Sequence, residues 1–224
     1  APSIAAWVRA HPASHGAPLI VVLTGTDLYR DVESDPEAQT SLEQADALVV
    51  LQQEGLAALP PAARRKAVVI YQSGGRRHAL RKTRRHLRAL MVGHLREEKS
   101  PGTLFEAARL LRARPDIRID HVGGALDPAL GRQARSTARA CPRYRWLGAL
   151  PHARTLQRIQ RAHVLINSSR IEGGAHVVLE AIGCGTPVLA SDVDGVRDSV
   201  RENESGFLFR YNSVPDFVDK ARRI

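Results

Sequence analysis

Glu172 and Glu180 stand eight positions apart in RIEGGAHVVLEAIG, and Gly173, Gly174 and Ala175 directly follow the first of them. Residues this small let backbone N–H groups approach an anion closely, and the positive end of a helix opening at His176 points the same way. The amides of Gly174, Ala175 and His176 are therefore candidates for holding a phosphate or a developing negative charge. At ~1.5 Å rise per helical residue the two carboxylates are separated by roughly 12 Å. Such a span suits an elongated ligand with hydroxyls at both ends and a diphosphate between. Taken alone, Glu172 also reads as a solvated loop acid and Glu180 as a surface helix residue. Glu180, however, lies in VVLEAIG among apolar neighbours, where a carboxylate needs a partner.

The elements that must position these groups form a strand, loop, helix, turn and strand. Residues 164–167 are a short apolar run of strand length. An apolar helical stretch at 176–182 ends near Gly183 and Gly185, and 187–190 is a second strand of the buried type. Two further loops carry polar groups. TGTDLYRD follows an apolar strand at 19–23, at the carboxyl end where open α/β sheets place ligands. Thr24 and Asp27 there are either sugar or acceptor contacts, or a turn residue and a helix cap. GHLREEKSP follows a strand at 87–92 and brings Arg96 and Lys99 beside a helix that starts at Pro101. Both cations can reach a diphosphate without a metal.

Apolar strand patterns at 48–51, 68–71, 117–122 and 144–147 alternate with helical ones at 36–45, 52–65, 101–114, 128–140 and 153–162. That alternation predicts an α/β fold with parallel sheets. Residues 73–86 break it. The expected organisation is a partial N-terminal Rossmann-like lobe over 1–72, a basic linker over 73–86 and a C-terminal lobe over 87–224. A helix at 3–10 with no strand before it predicts an N-terminal lobe that is truncated, and a last helix is expected over 216–224.

The chain has 224 residues, 43% hydrophobic and 25% charged, which excludes a disordered or membranous class by composition. No apolar run approaches the ~20 residues that span a bilayer, and no signal-peptide pattern opens the chain, so a cytoplasmic setting is expected. The net charge of +10 is local. Between Glu54 and Glu97 there are eleven basic residues and no acid, which leaves the remainder near neutral. This run lacks aromatic rings and reads as a solvated linker rather than a nucleic-acid groove, with non-specific attraction to polyanions at low salt. Cys141 and Cys184 have neither a disulfide nor a metal-ligand pattern and read as packing residues.

SRIEGGAHVVLEAIGCGTPVLAS, with its paired glutamates and later GTPV, resembles the donor-site motif of the retaining family 4 glycosyltransferases of the GT-B fold. The resemblance runs from Thr24 to Phe209 and implies two Rossmann-like lobes with a UDP-sugar, UDP-N-acetylglucosamine or UDP-glucose, held by the C-terminal one. It further implies that Glu172 approaches the donor sugar, that the Gly173, Gly174 and Ala175 amides cradle sugar and phosphate, and that Glu180 binds the ribose hydroxyls. Gly-Gly-Ala stands here where the family reads Gly-Phe-Gly. VGHLREEKSP resembles the family's phosphate loop: Gly93, Leu95 and Lys99 match, His94 occupies the usual arginine position, and Arg96 can compensate.

Glu172, Lys99 and Arg96 are thereby assigned to catalysis. His94, Gly173, Gly174, Ala175, His176, Glu180, Thr24 and Asp27 are assigned to substrate binding. Since such enzymes meet the diphosphate with cations and amides, neither a metal nor a cofactor beyond the co-substrate is expected, and Asp192 and Asp194 are read as a turn and cap. TGTDLYRD, VGHLREEKSP, HVGGALDP and SRIEGGAHVVLEA are together similar to the selenosugar synthase branch, which joins selenophosphate to the sugar of a UDP-sugar in selenoneine biosynthesis. Composition and spacing carry no sign of selenium chemistry. The rival readings are a family 4 enzyme with another acceptor, and a chain that holds a nucleotide-sugar or nucleic acid without turnover.

Overall fold

Every strand pairing among the described residues of the computed structural model, 3–11 and 18–223, is parallel. The chain divides into two units, residues 1–72 with 171–175 and residues 73–170 with 176–224.

The first unit holds α1 (Ser3–Ala10), β1 (Ile20–Leu23), α2 (Val32–Ser34), α3 (Pro36–Gln44), β2 (Ala47–Val50), α4 (Glu54–Ala57), α5 (Pro61–Arg64) and β3 (Ala67–Val69). Its sheet runs β1-β2-β3, with Val22 beside Val49 and Val49 beside Val68. One face packs Val21, Leu23, Leu48 and Val50 against Leu28, Val32, Leu42 and Leu59. The opposite face leaves Ile20, Val22, Val68 and Ile70 each more than half exposed. A continuous helix is not found over 52–65. Leu59-Pro60-Pro61 divides it into α4 and α5, because proline lacks the N–H that a helix interior requires. A π-helical turn at Asp27–Asp31, invisible to periodicity, leads into α2.

The second unit continues with β4 (Leu87–Val92), α6 (Pro101–Leu110), β5 (Ile117–Val122), α7 (Pro128–Ala140), β6 (Tyr144–Trp146), α8 (His152–Arg161), β7 (Val164–Asn167), α9 (His176–Gly183), β8 (Val188–Ser191), α10 (Asp194–Arg197), β9 (Gly206–Phe209) and α11 (Val214–Ala221). Its six strands run β6-β5-β4-β7-β8-β9, so the order reverses between β4 and β7. In open α/β sheets the crevice outside the carboxyl ends of two such strands is where ligands bind. The core on one face packs Leu104, Phe105 and Ala134 with Met91, Ile119, Ile166 and Leu189, and an edge-on Phe209–Phe217 pair at 5.2 Å closes it. Asp127 caps α7 by accepting from Ala129 N at 2.7 Å, and Ser213 caps α11, which starts two residues earlier than the sequence implied.

Residues 73–86, read from sequence as a solvated linker, lie along the second unit. Arg77 N donates to Gly183 O at 2.8 Å and Leu80 N to Gln160 O at 3.1 Å. Gln160 Nε2 donates back to His78 O at 2.8 Å. The glycines of this segment explain the fit. A Cβ on Gly74 would lie 3.0 Å from Leu179 O, and one on Gly183 would lie 2.8 Å from Gly75 O. The strap thus docks against carbonyls at the ends of α8 and α9 that the helices themselves leave unpaired.

Candidate functional site

The loop after β4 starts from a glycine held on three sides. Gly93 N donates to Val122 O at 2.9 Å. Its carbonyl accepts from His121 Nε2 at 3.1 Å, and His121 Nδ1 lies 3.0 Å from the Tyr144 hydroxyl. His121 and Tyr144 are almost wholly buried. Burial pushes the His121 imidazole down to about 4, partly opposed by the Gly93 carbonyl, so the ring carries a single proton at neutral pH. That proton belongs on Nε2, where the acceptor is a carbonyl, and the tyrosine O–H supplies Nδ1. Gly123, at φ 156°, has no Cβ that would strike Gly93 O at 1.9 Å.

From Gly93 the chain passes His94 and Arg96 into a 3-10 turn, Glu97–Lys99, and on to α6. The Lys99 stem runs beside Gly93, its Cδ and Cγ 3.4 Å from where a Cβ would stand. His94 Nδ1 accepts from Gly124 N at 3.0 Å, which leaves the ring proton on Nε2. Arg96 has its Nε shut from solvent with no hydrogen-bond partner among the described residues, and its ion pair with Glu98 is long at 3.9 Å. Ser100 links the turn to α6 in the left-handed region, φ 41°, an uncommon backbone state for a residue with a Cβ.

Residues after β7 hold this turn in place. The buried Ser168 hydroxyl lies 3.0 Å from Lys99 O and 3.1 Å from Ser100 O. Arg170 N donates to Glu98 O at 2.8 Å, and the Arg170 guanidinium pairs with Glu97 at 3.0 Å. The loops leaving β4 and β7, on either side of the strand-order reversal, are therefore stitched together by backbone carbonyls. Further along, Glu180 sits in the middle of α9 with its side chain 13% exposed. It has the partner its apolar neighbours demand: His152 Nε2, at the start of α8, lies 2.6 Å from Glu180 Oε1, and His176 Nε2 lies 3.8 Å from the same oxygen.

Glu172, Gly173, Gly174 and Ala175 group with the first unit. Glu172 is buried. Gly173 meets the loop after β1 backbone to backbone, since a Cβ on it would lie 2.2 Å from Gly25 N, and one on Gly25 would lie 2.6 Å from Gly173 N. Gly174 fits beside Leu51 and Gln72. Thr24 and Asp27 turn toward each other: Asp27 Oδ2 accepts from Thr24 N at 3.0 Å and from Thr24 Oγ1 at 2.6 Å. Burial pushes the Asp27 carboxyl up and the Thr24 side-chain and backbone bonds help to pull it down, and on balance it lies below the ordinary carboxylate range. Asp27 is the first residue of its π-helical turn, with Thr26 in the cap position.

Asp192 and Asp194 both pair with Arg197, at 2.8 and 3.1 Å. Val193 stands at the cap of α10 and Asp194 is its first residue, so neither aspartate is the cap the sequence implied. The sequence reading missed His152 as the partner of Glu180, Ser168 as the clamp on the Lys99 turn, and the Tyr144–His121 pair behind Gly93. GALPH and NSSR carried the signal for the first two, but only as loop composition.

Residues 79–224 match the family model described as Glycosyl transferases group 1. Glycosyltransferase 1 domain-containing protein 1 of Xenopus tropicalis is 25% identical over 232 residues, 92% of this chain and 66% of that protein. D-inositol 3-phosphate glycosyltransferase of Nocardia farcinica is 32% identical over 136 residues, 57% of this chain and 30% of that protein. The structure of Anabaena HepE in complex with UDP-glucose aligns with a TM-score of 0.80 at 18% identity, covering 98% of this chain and 66% of that one. The chain thus spans from about a third to two-thirds of the length of these relatives. The structural likeness is one of fold, the α/β GT-B type with parallel sheets that the sequence implied.

Proposed function

The chain belongs to the group 1 glycosyl transferases, and we propose on that footing that it transfers a sugar from a UDP-sugar with retention of anomeric configuration. The observation that supports this best is the Ser168 clamp. It fixes the Lys99 turn at the sheet's reversal point, where a cation beside a helix start can meet a diphosphate. As the bond between the anomeric carbon and the diphosphate oxygen breaks, its electron pair leaves with UDP. Lys99, Arg96 and the Gly174 to His176 amides stabilise that charge. Glu172 orients the sugar and offsets positive charge on the ring, and Glu180 receives the ribose hydroxyls. The departing phosphate assists the nucleophile on the face it leaves, so no separate strong base and no metal are required.

Selenophosphate is the acceptor proposed, on the four motifs that resemble the selenosugar synthases. Its selenium lone pair would form the bond to the anomeric carbon while UDP departs, the phosphoryl group staying on selenium in that step. The proposed setting is the cytoplasm. Among the described residues, no helix is long and apolar enough to cross a membrane.

The test is product mass spectrometry with UDP-glucose and UDP-N-acetylglucosamine against selenophosphate, thiophosphate and simple alcohols. A selenium-containing sugar phosphate is expected. Transfer to alcohols alone would leave a glycosyltransferase with a different acceptor, and UDP binding with no product from any pair would overturn the catalytic reading. Glu172→Gln should lower turnover far more than UDP affinity.

A further inference from the structure

A second concentration of positive charge, to which Lys99 does not contribute, lies beside α8. Arg154, Arg158 and Arg161 follow one side of that helix at spacings of four and three residues, so they line up along it. Together with Arg88 of β4 they line a cavity of about 460 Å³ that Gln157 and Leu150 complete. One buried carboxylate serves this region, and it is already committed. Asp120 of β5 takes two bonds of 2.8 Å from Arg145 and a third of 3.3 Å from Arg158. Arg88, Arg154 and Arg161 make no ion pair among the described residues.

Exposed arginines on a helix are ordinary, but Arg88 is not exposed in that way. Its Nε is sealed from solvent and donates to nothing among the described residues. A buried donor without an acceptor costs free energy that native structures rarely leave uncompensated. Four arginines line one concavity, Asp120 is the carboxylate that attracts both Arg88 and Arg158, and the surplus of positive charge selects an anion. Guanidinium forks match the paired oxygens of a phosphate. None of the residues lining the cavity is aromatic, which removes the stacking platform that single-stranded nucleic acid uses. The volume suits a small molecule.

We infer that this cavity, whose lining includes neither Lys99 nor Glu180, is a binding site for a small phosphate-bearing anion, with Arg88, Arg154 and Arg161 as its ligands and Asp120 fixing Arg158 at its wall. A phosphorylated metabolite and inorganic phosphate or pyrophosphate share that chemistry.

Calorimetric titration of the whole chain with pyrophosphate tests it. The Lys99→Ala variant should retain a saturable site that Arg154→Ala/Arg161→Ala weakens about ten-fold or more. Both arginines of the double variant lie on the outer face of α8, so folding should be kept, and thermal melting verifies this. Arg88→Met provides an independent reading: it should weaken pyrophosphate several-fold, with thermal melting again verifying the fold. Competition by glucose 6-phosphate at lower concentration than inorganic phosphate would assign the site to a phosphorylated metabolite, and the reverse order to the free anion; either supports it. Undiminished pyrophosphate affinity in Arg154→Ala/Arg161→Ala, or its complete loss in Lys99→Ala, would overturn it. So would an oligonucleotide whose binding depends on these arginines while pyrophosphate binding does not.

Discussion

His152 Nε2 lies 2.6 Å from Glu180 Oε1, a contact between two helices whose partners are 28 residues apart in the chain. The histidine is largely exposed and the glutamate is not, so the ring acts as an orienting group on a carboxylate that has one oxygen left for another donor. Glu180→Ala should weaken UDP about ten-fold, and His152→Ala several-fold, since a charge-assisted bond is worth roughly 1.5 to 3 kcal/mol. Because one acts through the other, the double variant should be no worse than Glu180→Ala alone. Calorimetry with UDP on the three variants decides it, and simple additivity would separate the two residues.

Gly173→Ala should be far more damaging than its single methyl group suggests. The new Cβ would stand 2.2 Å from Gly25 N, a backbone atom that cannot rotate away. A cost of roughly 2 kcal/mol or more is expected from such overpacking. Gly75→Ala meets nothing within 4 Å and should stay within about 0.5 kcal/mol of the parent. Urea unfolding midpoints for the pair make the comparison.

Stability should fall in acid before the carboxylates titrate. The folded value for His121, about 4, lies below its ordinary 6.5 because the ring is buried. The neutral ring's contribution is therefore complete above pH 6.5, declines as the pH falls toward about 4, and is exhausted below that. The shift corresponds to about 3 kcal/mol. His163, also lowered by burial, acts in the same direction. Denaturant titrations at neutral pH and near pH 4 should show this slope, and His121→Gln should flatten it.

Asp120→Asn should destabilise the second unit by roughly 3 kcal/mol, the usual result of removing one partner from a buried ion pair. The amide keeps one accepting oxygen for Arg145, but its NH2 group would replace the oxygen that accepts from Arg145 and Arg158, and the negative charge between them would be gone. Thermal melting measures the loss. A fall below about 1 kcal/mol would mean that water replaces the carboxylate.

The parallel α/β scheme was legible because its strands are short apolar runs divided by polar turns, and α9 with its glycines reads as a helix between two of them. The Lys99 turn was legible as a loop beside a proline-started helix. What holds these pieces was not legible. Ser168 reaches back 69 residues to Lys99, His121 reaches Gly93 across a sheet, and the 73–86 strap finds carbonyls at the ends of two distant helices. Each of these is a hydrogen bond to a backbone atom, and a backbone atom leaves no residue-type trace at its own position. The split at Pro60 was readable in principle, since two adjacent prolines forbid the helix that periodicity favoured.

Ile20, Val22, Val68 and Ile70 form a wetted strip of branched aliphatic side chains on the outer face of the three-stranded sheet. Parallel sheets ordinarily have both faces covered, so this strip sets how a solution of the chain behaves before any chemistry is asked of it. Lysines at Val22 and Val68 should lengthen the time before light scattering rises on storage, at no cost to the interior, because neither side chain belongs to it.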